Sequence, residues 1–149
     1  MRRFRSQPLE VPVDREDVTR ADLVFYGVDH SGPSYEARIF LDNPRASADT
    51  PRDIEKGYAG SFTVFGHGGC YGDAGHCAPE DRTTDEFDLR PAHPLTPHTR
   101  TVTVTDALKR TSGEQVTVNV VAVPRELKET PATTEIPAYE RVRLLAYQD

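Results

Sequence analysis

The sequence predicts an all-β protein: an antiparallel β-sandwich with one short helix and a long Gly/Pro-rich loop. Three observations carry this. Short runs of β-branched and aromatic residues recur along the chain, several of them alternating in character. Breaker-rich segments separate these runs. One stretch alone, around residue 107, has a helical pattern, and strands spaced by turn-rich loops are the signature of a sandwich.

The elements follow in chain order. Residues 1–19 are read as an N-terminal extension ahead of a single domain at 20–149. Leu23-Val24-Phe25-Tyr26-Gly27-Val28 opens that domain as a strand. Ser34 to Leu41 alternates, with Tyr35, Ala37, Ile39 and Leu41 on one face. The turn residues Asp29-His30-Ser31-Gly32-Pro33 between the two predict a hairpin. Ser61 to Phe65 is a short third strand, and Arg100 to Val104 alternates strictly. Thr105 or Asp106 is positioned to cap a helix over Ala107 to Arg110, which Gly113 stops. Gln115 to Val123 is the strongest strand pattern, and Arg141 to Tyr147 closes the fold. Two segments lack regular pattern: Asn43 to Gly60, and the longer His67 to Thr99 with its many glycines and prolines. A stretch of that length inside a compact domain is usually functional, metal-bound, disulfide-tied or disordered. Its acidic half, Cys77 to Arg90, reads as a solvated loop.

The bulk properties narrow the function classes. At 149 residues the chain has room for one domain and one core. A formal net charge of -6 argues against nucleic acid as the main partner. No apolar run approaches the roughly 20 residues of a membrane-spanning helix. The basic start, Met1-Arg2-Arg3-Phe4-Arg5, is not followed by the apolar region of a secretory signal. The expectation is therefore cytoplasmic residence, with export alongside a partner as the alternative.

Chemistry concentrates in one place. Phe65 to Cys77 holds both cysteines, two of the five histidines and five of the ten glycines. Three readings stand side by side. Cys70 and Cys77 are spaced to close a small disulfide loop. His67, Cys70, His76 and Cys77 instead offer two imidazoles and two thiolates, a donor set that suits Cu(I) or zinc. The third reading is a pair of free structural cysteines. Nucleophilic Cys/His catalysis would need an orienting group, for which Asp73 is the nearest residue, and it is disfavoured. Tyr71 and Asp73, at the tip, are candidates for contact with a partner. His30, in the turn, reads as an exposed histidine without a role; His93 and His98 flank prolines in the long loop. No phosphate-binding glycine loop and no G-x-S-x-G elbow is present.

Several segments together resemble a known family. Leu23 to Val28, the run Ser34 to Pro44, and Gly57-Tyr58-Ala59-Gly60-Ser61-Phe62 are similar to the C-terminal β-sandwich domain of tyrosinases, plant polyphenol oxidases and molluscan haemocyanins. The back half agrees in order: Thr101 to Leu108, then Val116 to Arg125 ending in Val-Pro-Arg, then Tyr139 to Tyr147. The resemblance covers residues 20 to 147.

The resemblance implies a sandwich that packs over a dinuclear copper site, shields it, and in some members places an aromatic residue in the substrate pocket. It favours copper over zinc as the metal. It does not imply oxidase activity, because the family's coupled copper site takes six histidines, most of them on helices, and this chain has five, on turns and loops. The expectation is an accessory or cap-like protein that binds a partner, a type-3 copper oxidase or a second copy of itself. The alternative is a small metalloprotein that binds copper or zinc itself through His67, Cys70, His76 and Cys77.

Overall fold

A computed structural model describes residues 3–67, 87, 96–124 and 136–148. Among the described residues nine strands form: β1 (Arg3–Arg5), β2 (Leu9–Glu10), β3 (Arg20–Val28), β4 (Tyr35–Leu41), β5 (Tyr58–Val64), β6 (His98–Thr103), β7 (Gln115–Val116), β8 (Val118–Pro124) and β9 (Arg141–Tyr147). A 3-10 turn at Ile54–Lys56 and one α-helix, α1 (Thr105–Arg110), complete the set. Every pairing is antiparallel, in sheets ordered β1-β8-β4-β5, β6-β3-β9 and β2-β7. The all-β expectation holds.

The core lies between the two larger sheets. Leu23 and Phe25 from β3 meet Tyr35, Ala37 and Ile39 from β4 and Val118, Val120 and Ala122 from β8 in one buried cluster. The alternation read in β4 is therefore real: its odd residues form the inner face. Burying side chains of this size contributes about 1.5–3 kcal/mol each. Phe25 packs its ring 5.1 Å from Phe62 and 5.2 Å from Tyr139, joining both sheets.

The outer face of the four-stranded sheet is covered as well. Phe40, Val121 and Ala46 form a second buried cluster, with Ala46 coming from the segment between β4 and β5. The same segment brings Arg52 to Glu36: its Nη2 donates to Glu36 Oε2 at 2.8 Å, and Arg38 Nε donates to the same oxygen at 3.2 Å. Glu36 is only 6% exposed, so this carboxylate is neutralised by two guanidiniums inside the covered face. At the end of the segment Gly57 has φ 80°, and a Cβ there would run into the carbonyl oxygen of Leu41.

Four expectations are corrected. β3 and β4 do not form a hairpin; β3 pairs with β6 and β9, while β4 pairs with β5 and β8. Their apolar faces oppose each other across the core, so residues 29–34 cross between sheets. The segment before residue 20 is part of the sandwich rather than an extension. β1 pairs with β8, Ser6 Oγ accepts the Val118 N–H at 2.9 Å, and Val18 is buried. The long strand over 115–123 is two strands. Asp42, at φ 50°, accepts the Thr117 N–H at 2.7 Å, and β7 and β8 then join different sheets. Finally, neither Thr105 nor Asp106 caps α1. Val104 occupies the cap position, while the Thr105 hydroxyl accepts the Ala21 N–H at 3.0 Å.

Candidate functional site

His67 and Thr96, which flank residues 68–95 of the long Gly/Pro-rich segment, converge on one residue, His30. The His67 backbone N–H donates to the His30 carbonyl at 2.9 Å. On the other side His30 Nε2 lies 2.9 Å from the Thr96 carbonyl oxygen. A carbonyl oxygen only accepts, so His30 Nε2 carries the proton in that bond.

The local sequence explains how His67 arrives there. Gly66 runs so close to the turn that a Cβ would overlap the Gly32 carbonyl oxygen and the Pro33 backbone. Its N–H donates to Ser34 Oγ at 3.0 Å. Only glycine permits this approach, and the next residue is thereby placed over His30. In the turn itself, Asp29 Oδ1 accepts the Ser31 N–H and Oδ2 the Ser31 hydroxyl, each at 2.9 Å. This Asx-type turn fixes the backbone from which the His30 ring projects.

The two rings meet through their Nδ1 atoms, 3.2 Å apart, and His67 Nδ1 also lies 3.3 Å from the His30 carbonyl oxygen. A third imidazole, His98 at the start of β6, stands with its ring centroid 4.2 Å from that of His30, tilted by 72°. His98 is held below the usual histidine range, first by lost hydration, then by the neighbouring His30, Arg100 and His67. His30 and His67 are half-buried and His98 is exposed. Next to the cluster, Phe65 is 79% exposed.

Of the residues expected at the site, His67 is placed as above. Cys70, Tyr71, Asp73, His76 and Cys77, and with them both the disulfide and the Cys/His metal set, lie outside the described residues. So does His93. Among the described residues no group of three or more His, Cys, Asp and Glu converges as a metal cage. Among them, too, no helix is long and apolar enough to cross a membrane. The sequence reading missed His30 and His98. Its one available signal was the placement of His30 in a breaker-rich turn beside Gly32 and Pro33, where a ring can be held rigidly.

Away from the histidines, an open groove of about 510 Å³ lies between β5, β6 and α1, lined by residues including Ile54, Tyr58, Val104 and Ala107. Among the described residues, Asp106 is the one titratable carboxylate on its wall, and no described histidine or cysteine lines it. That wall offers little with which to do chemistry, whereas the histidine end groups polar side chains with an exposed aromatic.

No family model matches the chain, and no curated protein matches it. Solved structures do. Latent aurone synthase (polyphenol oxidase) from natural source superposes with a TM-score of 0.54 at 16% identity, over 99% of this chain and 24% of that one. The recombinantly expressed latent aurone synthase co-crystallized with hexatungstotellurate(VI) gives a TM-score of 0.55, again at 16% identity and over the same shares. The resemblance read from the sequence is thus matched in three dimensions: this chain has the fold of part of a polyphenol oxidase. It spans about a quarter of the length of those proteins.

Proposed function

We propose that this sandwich is an accessory, cap-like module that acts by docking on a protein partner, a copper oxidase of the polyphenol oxidase class. The observation that carries the reading is the coverage: nearly the whole chain matches, and it matches 24% of a latent polyphenol oxidase. A module shaped like a fraction of an oxidase has its natural counterpart in the remaining fraction. In this reading the histidine end faces the partner. Phe65, large, apolar and 79% exposed beside His67, supplies the hydrophobic anchor, since interface hot spots favour buried aromatic residues. Tyr71 and Asp73, four and six positions beyond His67, belong to the same contact, and assistance to the partner's copper site is its purpose.

The test is affinity isolation of the tagged full chain from its own source. The expected result is one stoichiometric co-purifying protein that contains copper, lost or weakened at least about tenfold by Phe65→Ser. Recovery of the chain alone, or of a partner free of copper, overturns the reading.

A further inference from the structure

We propose that Tyr35, Tyr139 and Arg100 form a buried site for a small monovalent anion, chloride, at the end of the core beneath the crossing from β3 to β4. The proposal does not depend on the partner reading.

The argument begins with donors. Tyr35 Oη, Tyr139 Oη and Arg100 Nε are each buried, and none has a hydrogen-bond partner among the described residues. Tyr35 as a whole is only 1% exposed. A buried polar group without a partner costs stability, so three in one neighbourhood call for a shared acceptor. The fold brings them there. Arg100 stands opposite Phe25 in the β3–β6 register, and the Phe25 ring lies 5.2 Å from the Tyr139 ring. Tyr139 packs against the core cluster that holds both Phe25 and Tyr35. The Arg100 charge acts on Tyr35, and Tyr35 in turn on Tyr139.

All three groups give hydrogens. An arginine Nε only donates. Burial raises both phenols, Tyr35 to about 12, so each keeps its proton at neutral pH. The carbonyl of Ala138, on the backbone beside Tyr35, already accepts the Asp29 N–H at 3.0 Å. A water molecule would answer the phenols but would leave the guanidinium without a counter-ion where hydration is poor. An anion answers both, and hydrogen bonds to a charged acceptor are the stronger kind. None of the ion pairs among the described residues involves Arg100. Asp29 is the carboxylate that acts on Tyr35, but it is exposed and its two oxygens accept from Ser31 at 2.9 Å. Water screens its charge, and what remains of its repulsion restricts the guest to a single negative charge.

The experiment uses the full chain with sodium chloride as the probe, against sodium methanesulfonate, a bulkier anion, at equal ionic strength. The urea unfolding midpoint is expected to be higher in chloride, because a ligand that binds the folded state alone stabilises it, and the chloride NMR line is expected to broaden. Tyr35→Phe and Tyr139→Phe are each expected to weaken chloride binding at least about tenfold. In methanesulfonate neither substitution is expected to lower the midpoint, since each removes a donor that has no partner there. Equal stability in the two salts overturns the proposal and leaves water as the acceptor. Chloride binding unchanged in both variants also overturns it, because the ion then sits on the surface. Should a variant unfold, anomalous scattering from bromide in crystals of the unaltered chain decides. Bromide is expected within hydrogen-bonding reach of the Tyr35 and Tyr139 hydroxyls and Arg100 Nε, and its absence from that place overturns the proposal.

Discussion

The backbone N–H of His67 reaches the carbonyl oxygen of His30 across 2.9 Å, although 37 positions separate the two in sequence. That bond ties the departing end of the long Gly/Pro-rich segment to the turn between β3 and β4. His30 Nε2 ties the returning end through Thr96, 66 positions away. One turn histidine thus anchors both ends of the segment that contains both cysteines.

Gly66 is what allows this, so Gly66→Ala is the sharpest structural test. Its methyl group would collide with the Gly32 carbonyl and the Pro33 backbone, which cannot rotate away as a side chain can. Overpacking against backbone of this kind costs about 1–3 kcal/mol. Urea unfolding is expected to show that loss, and the proton NMR contacts between the His30 and His67 rings are expected to vanish. Retained ring contacts with unchanged stability would contradict the geometry.

Ser6 tests whether the first residues belong to the sandwich. Its hydroxyl accepts the Val118 N–H at 2.9 Å in a buried position, and its own N–H donates to the Val118 carbonyl at 2.9 Å. Ser6→Ala leaves the Val118 N–H buried without an acceptor, which costs about 1–3 kcal/mol. A substitution in a mere leader would cost nothing measurable in the same unfolding experiment.

Glu36 and its two arginines give an asymmetric prediction. Glu36→Gln removes the charge that both guanidiniums share and is expected to cost about 1–3 kcal/mol, because the Arg38 side chain is 16% exposed and loses its counter-charge. Arg52→Ala is expected to cost under about 1 kcal/mol, since that side chain is 50% exposed and Arg38 remains. Equal losses would mean that the segment over β4 is held by something else.

Burial pushes the Tyr35 hydroxyl up to about 12, partly offset by the Ala138 backbone nearby, which stops short of a well-formed hydrogen bond. Tyr139, beside it, is raised as well, again by burial first. A folded value above the unfolded one means that the folded state holds the proton more tightly. The stability this represents is complete below the ordinary value of 10.0 and is lost as pH rises through about 12. Unfolding midpoints followed from about pH 9 to about pH 12 should fall, and Tyr35→Phe should flatten the fall. Identical slopes in both proteins would sink the assignment.

Much of the sandwich was legible in the chain because its signals are local. The period of two in Tyr35, Ala37, Ile39 and Leu41 names the inner face of β4 directly, and Arg141 to Tyr147 reads as β9 without adjustment. What was not legible depends on partners far along the chain. β1 and β2, three and two residues long, become strands only by pairing with β8 and β7. A breaker-rich turn looks the same whether it closes a hairpin or crosses between sheets, so the β3–β4 connection was misread. For the same reason His30 looked like a bare turn residue: its partners, His67 and Thr96, are brought to it by the fold and not by spacing.

The cap-like role proposed for this chain would make it one part of a larger copper-oxidase assembly. Native mass spectrometry of the complex isolated from its source measures this directly. The predicted result is a mass equal to this 16.6 kDa chain plus one larger protein and its copper. A spectrum showing only the 16.6 kDa chain, or whole multiples of it, would rule that role out.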